Sequence, residues 1–306
     1  MFNSTPLQKL QNLDTLPNID IFCKRDDLYP SLYGGNKARI VDSIFLKINN
    51  LQELKDGFII SAGNINSNFN RVLALKCAEL GLKLKLFIYR DEDQPLTINY
   101  DIVKSTNTEI INTNKSMISI SIDNCINYLL QHNIPYKYIY GGGSNSIDAY
   151  SAYFDVVKEM DNQIGKLDHV FVACGTGTTT SGLIYGLSNF FPNTMLHAIS
   201  ISRSRKDQLP IIEKNINSLK IKCSNLRFYD DYIAGGYGKS NNEIQETIQF
   251  AIKNYGMVLD ETYSGKAFWA MIKIIKSNIN YFKHKNIVFI NTSGLFNYLD
   301  RYKSWK

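Results

Sequence analysis

The sequence predicts an α/β protein built on open, mostly parallel sheets flanked by helices. Five short apolar segments have the length and composition of buried strands: FII, LKLFIY, HVFVAC, LHAISI and IVFIN. Most of them precede a polar or Gly-rich turn and then a helical pattern, and this repeated order is typical of a parallel sheet with crossover helices. Ligands of such sheets bind at the carboxyl ends of the strands, so SAGNINSN, ACGTGTTTSG and INTSG are the candidate site segments.

Two helical patterns support this alternation. In SNSIDAYSAYFDVVKEM, serines can cap a helix whose apolar face carries Ile147, Tyr150, Phe154 and Val157. The pattern in SNFNRVLALKCAELGL ends at Gly81, and glycine is favourable just after a helix. The chain has no internal repeat and no low-complexity linker, so composition alone draws no domain boundary.

The composition is that of an ordinary soluble protein. With 306 residues, 44% of them hydrophobic and 20% charged, the chain is long enough for two lobes that each bury a core. Its apolar runs stop far short of the ~20 residues that a membrane-spanning helix needs. MFNSTPLQKLQNLDTLP lacks the basic and apolar regions of a secretory signal, so we expect a cytoplasmic protein without a transmembrane segment.

The charge distribution argues against a nucleic-acid partner. The net charge of +6 comes from 34 basic and 28 acidic residues spread along the chain, whereas a nucleic-acid footprint concentrates its basic residues. The basic excess is interpreted as a solvated surface that helps to attract an anionic ligand.

Cysteine and histidine spacing argues against disulfides and metals. The five cysteines are odd in number and contain no CxxC pair: Cys23, Cys77, Cys125, Cys174 and Cys223. The four histidines lie far apart, none in HExxH: His132, His169, His197 and His284. We expect reduced thiols and no catalytic metal.

The segment after the predicted strand HVFVA has the features of an anion-binding loop. It reads Gly175, Thr176, Gly177, Thr178, Thr179, Thr180, Ser181, Gly182, and a helical pattern follows. Glycines let backbone N–H groups turn toward an anion, hydroxyls add donors, and a helix N-terminus contributes partial positive charge. The spacing fails GxGxxG, and Ile233 stands where a Walker loop ending at Gly238-Lys239-Ser240 needs glycine. A Gly/Thr-rich turn that binds nothing remains the alternative at this point.

A second segment places a lysine directly behind two glycines, in SLYGGNKARI. A lysine at a helix start is most often a solvated surface charge. Together with an anion loop and an α/β chain without nucleotide motifs, however, Lys37 suggests pyridoxal phosphate. That cofactor needs an amine for a Schiff base, a phosphate site and a partner for its ring nitrogen.

Six motifs in the same order resemble those of one family. KRDDLYPSLYGGNKARI resembles the KRDDL and GGNKxR segment of the 1-aminocyclopropane-1-carboxylate deaminase and D-cysteine desulfhydrase family, within the tryptophan-synthase-β-like, fold type II pyridoxal enzymes. SAGNINSNFNR is similar to its GGxQSNHxR, ACGTGTTTSG to its TGSGGTxAG, AGGYG to its GxGYG, LDETYSGKA to its DPVYTGKA, and INTSGL to its HTGGL. The resemblance spans nearly the whole chain and implies pyridoxal 5'-phosphate as cofactor and a small amino acid as substrate.

The resemblance implies roles for individual residues. Lys37 would be the Schiff-base lysine, with Asn36 beside it in the cofactor site, while Lys266 of YSGKA would only support the site. The implied phosphate-binding residues are Gly175, Thr176, Gly177, Thr178 and Thr179. Asn68 would contact the cofactor's ring, and Ser67 would lie over the substrate carboxylate. Without the family motif around them, Ser67 and Asn68 would be interpreted as an ordinary helix-capping pair.

Two positions bear on substrate and reaction. Phe69 stands where the family has His or Gln, so we expect an apolar surface beside the substrate. Ser264 follows Tyr263 where the deaminases have a glutamate that keeps the ring nitrogen protonated and the desulfhydrases have a hydroxyl residue. A neutral hydroxyl cannot raise the pKa of the ring nitrogen as a carboxylate does. This favours β-elimination over opening of a cyclopropane.

The prediction is therefore β-elimination from a small amino acid, of D configuration as in the desulfhydrases, giving a keto acid and ammonia. Lys37 would take the α-proton, and Tyr263 and Tyr237 would assist the leaving group or position the amino acid. Three alternatives stay open: a β-replacement synthase, a 1-aminocyclopropane-1-carboxylate deaminase, and a homologue that binds the cofactor without turnover.

The family also implies the architecture. A large cofactor-binding lobe would comprise residues 1–40 and 143–306, and a smaller lobe residues 41–142, with the cofactor in the cleft between them. Closure of the lobes would exclude water from the reacting atoms. A homodimer is expected from the resemblance alone.

Overall fold

The computed structural model describes residues 4–11, 16, 18–90, 92, 94–222 and 225–301, and two sheets organise them. The large sheet has the strand order β1-β2-β10-β7-β8-β9. Only β1 runs antiparallel to its neighbour, and the remaining pairs are parallel. Its strands are β1 Leu7–Lys9, β2 Asp20–Arg25, β7 His169–Cys174, β8 Met195–Ser200, β9 Leu226–Tyr229 and β10 Asn286–Asn291.

The small sheet is wholly parallel and has the order β5-β4-β3-β6. Its strands are β3 Phe58–Asn64, β4 Leu84–Tyr89, β5 Glu109–Asn112 and β6 Tyr136–Tyr138. All four fall within the range 41–142 predicted for the smaller lobe. The predicted boundary at residue 40, however, lies inside a helix that begins at Gly35, and the division into two domains stays a prediction.

Helices connect most successive strands, and side-chain caps start several of them. Ser67 and Ser146 each accept a backbone N–H from the residue three positions later. The helices are α1 Gly35–Phe45, α2 Asn68–Glu79, α3 Ile98–Lys104, α4 Ile118–Gln131, α5 Ile147–Asp161, α6 Thr178–Phe190, α7 Arg205–Ser218, α8 Asn242–Tyr255, α9 Ser264–Ser277, α10 Ile279–Phe282 and α11 Leu295–Leu299. Short 3-10 turns occur at Asp26–Leu28, Glu53–Lys55 and Gly141–Gly143.

Both faces of each sheet are covered by apolar packing. One core joins α1, α2, α5 and α6 to one face of both sheets. A second core lies between the other face of the large sheet and α8 and α9, and a third between the small sheet and α4. Interior strands are therefore buried on both faces, which is why β7 is buried at all its positions and reads as a continuous apolar run.

The predicted fold class is confirmed: the strands and helices form parallel-dominated sheets flanked by helices. LKLFIY and HVFVAC match β4 and β7 residue for residue. Ile147 was wrongly assigned to the buried face of its helix, because it is the first residue of α5 and is 51% exposed. In the described part of the chain, no helix is long and apolar enough to cross a membrane.

Candidate active site

The turn before α1 requires two glycines. Gly34 and Gly35 have φ angles of 78° and 88°, a region that side-chain-bearing residues rarely adopt. A Cβ atom on Gly34 would lie 2.3 Å from the carbonyl oxygen of Asp27, and one on Gly35 would lie 2.9 Å from that of Thr292. Because the backbone packs so closely here, the first turn of α1, which carries Lys37, lies directly beside the ends of β2 and β10.

The amine of Lys37 is in an environment suited to a base. Its Nζ donates a 3.4 Å hydrogen bond to the carbonyl oxygen of Gly142, and although the residue as a whole is half-buried, its amine end is shielded from solvent. Burial of the amine lowers its pKa to about 8. No carboxylate of the described residues lies within ion-pair distance of it, and with this pKa roughly a tenth of the amine is neutral at pH 7, far more than for a solvated lysine.

The predicted anion loop lies next to this lysine. Gly177, in the left-handed conformation with a φ of 88°, caps the N-terminus of α6. The hydroxyls of Thr176 and Thr178 lie 3.0 Å apart, and Nδ2 of Asn36 donates to Oγ1 of Thr179 at 3.1 Å. A Cβ on Gly142 would lie 3.0 Å from Oγ1 of Thr176. The loop therefore adjoins both the start of α1 and the carbonyl group that holds Lys37.

These groups fit pyridoxal phosphate. The N-terminus of α6, a helix of thirteen residues, and three threonine hydroxyls form a donor set suited to a phosphate. Nε2 of Gln208 is buried and finds no hydrogen-bond partner among the described residues, and it lies 2.8 Å from where a Cβ on Gly177 would be. An amine able to condense with the cofactor's aldehyde stands beside the loop. Phosphate donors and amine are thus present together.

Two predicted tyrosines meet at the same loop. The hydroxyls of Tyr237 and Tyr263 lie 2.9 Å apart, with their rings at 81°. A Cβ on Gly175 would lie 3.5 Å from Cε1 of Tyr263, so this ring borders the anion loop. Burial raises the pKa of Tyr237 to about 12, and burial likewise raises the pKa of Tyr263 well above its ordinary value. Both hydroxyls keep their protons at neutral pH; one donates to the other, which leaves the pair one proton to donate to a ligand.

Ser264 is fully buried and bonded to Asp260. Its Oγ donates to Oδ1 of Asp260 at 2.7 Å and accepts the Asp260 N–H at 2.9 Å. The other carboxylate oxygen accepts the backbone N–H groups of Thr262 and Tyr263. The Ser264 hydroxyl therefore has one lone pair left and no spare proton. Its role opposite the ring nitrogen stays a prediction. Asp260 was not predicted, although it belongs to the LDETYSGKA motif.

Ser67 and Asn68 lie at the start of α2. Ser67 acts as its cap, accepting the N–H of Asn70 at 3.3 Å. Asn68 accepts a hydrogen bond from Nδ2 of Asn99 at 3.2 Å and donates one to Oδ1 of Asn297. Asn68 lines a cleft together with Lys37, while the assigned contact of Ser67 with a substrate carboxylate stays a prediction.

A buried cation in this cleft was missed by the sequence reasoning. Arg71 is 3% exposed, and its guanidinium carbon lies 4.0 Å from the ring centre of Phe296. Its Nε donates to Oδ1 of Asn99 at 2.9 Å, and no described carboxylate pairs with it. Burial lowers its pKa to about 10. The signal was available, because Arg71 is the arginine of SNFNR that matches the family pattern.

The expectation for Phe69 was wrong. Its side chain is 1% exposed and packs in the core shared by α1 and α2, so it offers no accessible apolar surface to a substrate. It is the second residue of α2, and its ring points into the protein rather than into the cleft. Substrate preference must therefore be sought in other residues.

Comparison with known proteins identifies the family. A family model described as pyridoxal-phosphate dependent enzyme matches residues 2–293. The chain belongs to this family. It is 30% identical to the D-cysteine desulfhydrases of Klebsiella pneumoniae (strain 342) and Serratia proteamaculans (strain 568), over 95% of its length and 91% and 92% of theirs. Among solved structures, it resembles an ACC deaminase homologue with a TM-score of 0.81 and 26% identity, over 99% of this chain and 92% of that one.

Family membership confirms two predictions made from the motifs. The protein is a fold type II, pyridoxal-phosphate-dependent enzyme, and its cofactor is pyridoxal 5'-phosphate. The assignment of individual residues rests on the geometry described above.

Proposed function

We propose that this enzyme eliminates the β-substituent of a small D-amino acid, with D-cysteine as the type substrate. One observation carries the proposal: a poorly solvated amine, Lys37, and a protonated hydroxyl pair, Tyr237 and Tyr263, border the same anion loop. β-Elimination needs a base for the α-proton and an acid for the leaving group. The similarity to D-cysteine desulfhydrases over 95% of the chain supports this choice of reaction.

The residues that would hold the cofactor surround this loop. The phosphate would bind to Gly175, Thr176, Gly177, Thr178 and Thr179, and Nζ of Lys37 would hold the aldehyde carbon. Asn36, Asn68 and Ser264 would complete the site. When bound, pyridoxal phosphate supplies a carbonyl carbon that condenses with amines and a ring that withdraws electrons from the substrate's Cα.

Residues of the protein then transfer two protons. Once the substrate amine has taken its place, neutral Nζ of Lys37 removes the α-proton. The Cβ–S bond breaks with its electron pair on sulfur, and the hydroxyl of Tyr263 or Tyr237 supplies a proton to the departing thiolate. Overall, D-cysteine and water yield pyruvate, ammonia and hydrogen sulfide, with all atoms accounted for.

Ser264 supports elimination over cyclopropane opening. It is a neutral group whose proton is donated to Asp260, so it cannot hold a proton on the ring nitrogen as a carboxylate would. Elimination expels its leaving group almost as soon as the α-proton departs and needs less charge delocalisation than ring opening does.

Turnover assays test the proposal. We expect pyruvate from D-cysteine and from β-chloro-D-alanine, and little from the L isomers or 1-aminocyclopropane-1-carboxylate. Protein that shows bound cofactor by its visible absorbance but releases no pyruvate from either D-amino acid would contradict it. Incorporation of an added thiol or amine into a new amino acid would instead identify a β-replacement synthase.

Three further expectations belong to this proposal. The two sheets support a division into a large lobe, residues 1–40 and 143–306, and a small lobe, residues 41–142, around the cofactor. We propose a cytoplasmic location and a homodimer. Light scattering coupled to size exclusion tests the latter, and a monomer that turns over at the same rate at all dilutions would contradict it.

A further inference from the structure

Lys266 is completely buried, yet its ammonium group has a full set of partners. Its Nζ donates to the backbone carbonyl oxygens of Ile201, Ile233 and Gly236, at 3.2, 2.7 and 2.8 Å. An ammonium has three donors, and all three are used. None of the partners is a side chain, and no carboxylate in the described part of the chain lies within ion-pair distance of this amine.

The carbonyl groups come from two irregular segments at the carboxyl end of the large sheet. Ile201 directly follows β8, while Ile233 and Gly236 lie in the loop between β9 and α8. The backbone of that loop is unusual, because Ala234 and Gly235 as well as Gly236 have φ angles of 45°, 87° and 115°. Carbonyl oxygens that converge on one point are the ligands that proteins offer to K⁺, an ion close in size to ammonium.

The ammonium group joins the segments that carry the tyrosine pair. Tyr237 directly follows Gly236, whose carbonyl oxygen is bound, and Tyr263 precedes Lys266 by three residues. The 2.9 Å contact between the two hydroxyls therefore depends on the position of a loop that is bound to Nζ of Lys266.

The charge on this amine is retained near neutral pH. Burial lowers its pKa to about 8, and the negative charge of Asp260 opposes the shift. Three carbonyl dipoles favour the protonated form, so the group remains mainly cationic at pH 7.

We propose that Lys266 is a tethered cation that takes the place of a free monovalent ion and positions Tyr237 against Tyr263. It is a positioning residue, since it contacts only backbone carbonyl groups. The proposal concerns how the tyrosine loop is held, so it does not depend on which amino acid is the substrate.

Chemical rescue tests it. Lys266→Ala opens a cavity lined by the three carbonyl groups, and in choline chloride we expect its melting temperature to fall by roughly 5 °C because three buried carbonyl groups lose their hydrogen-bond donor. Turnover should fall at least tenfold. K⁺, NH₄⁺ or methylammonium should restore more than half of both losses at the same ionic strength. Lys266→Met, which fills the cavity without a charge, should show the losses and no rescue. Lys276→Ala, which removes an exposed lysine of the same helix, is the matched control.

The outcomes separate clearly. Lys266→Ala with the same melting temperature in all salts, or Lys266→Met with wild-type turnover, would overturn the proposal. If neither variant folds, the wild-type enzyme decides. Its melting temperature and turnover should be equal in KCl, NH₄Cl and choline chloride, and activation by K⁺ or NH₄⁺ would show that a free ion fills this role instead. Because melting temperature needs no substrate, a failure here is distinguishable from a failure of the proposed reaction.

Discussion

Nδ2 of Asn36 donates a hydrogen bond to Oγ1 of Thr179 at 3.1 Å, although 143 positions separate the two residues in the chain. This contact joins the first turn of α1 to the first turn of α6. The amine of Lys37 and the anion loop are therefore fixed relative to each other before any ligand binds, which reduces the entropy lost when the cofactor is bound.

The close packing behind this turn predicts that Gly35→Ala is strongly destabilising. The added Cβ would lie 2.8 Å from the Cβ of Ser293 and 2.9 Å from the carbonyl oxygen of Thr292, in addition to the strain of a φ of 88°. We expect a loss of about 2–4 kcal/mol in the free energy of unfolding, measured by urea denaturation. Gly81→Ala is the matched control, because Gly81 also has a positive φ but no atom lies within 4 Å of its Cβ position. Equal losses in the two variants would show that packing around Gly35 is unimportant.

Replacement of Lys37 should abolish turnover while leaving the fold intact. Loss of a general base lowers rates by about 10²–10⁴-fold, and here the same amine also holds the cofactor. We expect the turnover of D-cysteine by Lys37→Ala to be lower than that of the wild type by at least this factor. Lys47→Ala, an exposed lysine just past the other end of α1, should keep wild-type rates. Retention of more than a tenth of wild-type turnover by Lys37→Ala would contradict the assignment.

The same amine predicts a pH profile. A base must be neutral to accept a proton, and the pKa of Lys37 is lowered to about 8 by burial. Below pH 8 the protonated fraction grows, so kcat should fall about tenfold per pH unit and level off above pH 8. Steady-state assays between pH 6 and 9.5 measure this limb. A kcat that is constant over the whole interval would exclude Lys37 as the base in the rate-limiting step.

The tyrosine pair predicts a dependence on the leaving group. Tyr263→Phe removes a hydroxyl that lies 2.9 Å from that of Tyr237. A thiolate gains from protonation as it leaves, whereas chloride departs as a stable anion. We expect turnover of D-cysteine to drop about 10²-fold, with a much smaller effect on β-chloro-D-alanine, and Tyr237→Phe should behave alike. The exposed Tyr128 offers a control in Tyr128→Phe. Equal losses on both substrates would point to positioning rather than proton donation.

A buried histidine pair predicts how stability depends on pH. Nε2 of His197 lies 3.2 Å from Nδ1 of His169, at the opposite end of the large sheet from the anion loop. Burial lowers the pKa of His169 to about 4 and that of His197 to about 2. In the unfolded chain a histidine has a pKa of about 6.5, so below that pH the unfolded chain binds protons at these two positions that the folded protein does not bind.

The contribution of the pair is therefore present above about pH 6.5 and is lost as the pH falls from there, toward 4 for His169 and toward 2 for His197. At pH 5.5 each histidine should lower the free energy of unfolding by about 1.2 kcal/mol relative to pH 7. His197→Asn should reduce this pH slope in urea titrations, and His132→Asn, which changes an exposed histidine, should not. An unchanged slope in His197→Asn would contradict the prediction.

Continuous apolar strands could be predicted from the sequence, but mixed strands could not. β7 is apolar at nearly every position because helices cover both of its faces. β2 also lies between two strands but ends in Lys24 and Arg25. Lys24 is fully buried because its Nζ donates to Glu159 at 2.6 Å, a partner 135 residues away that no local pattern reveals.

The site shows the same limit. The motifs predicted that the candidate residues follow the carboxyl ends of strands, and this could be predicted because each motif is local in sequence. The contacts that these residues make were not predicted: Asn68 pairs with Asn297 across 229 positions, and Ser264 donates its proton to Asp260 of its own motif. Phe69 was misjudged because residue type alone does not say which side of a helix faces the core.

The most direct test of the account identifies the lysine that holds the cofactor. Reduction of the purified holoenzyme with borohydride, followed by digestion and mass spectrometry, locates the pyridoxyl group on one peptide. The account predicts a pyridoxyl group on Lys37, within SLYGGNKAR, and an unmodified Lys266. A pyridoxyl group on Lys266, or on neither lysine, would contradict it.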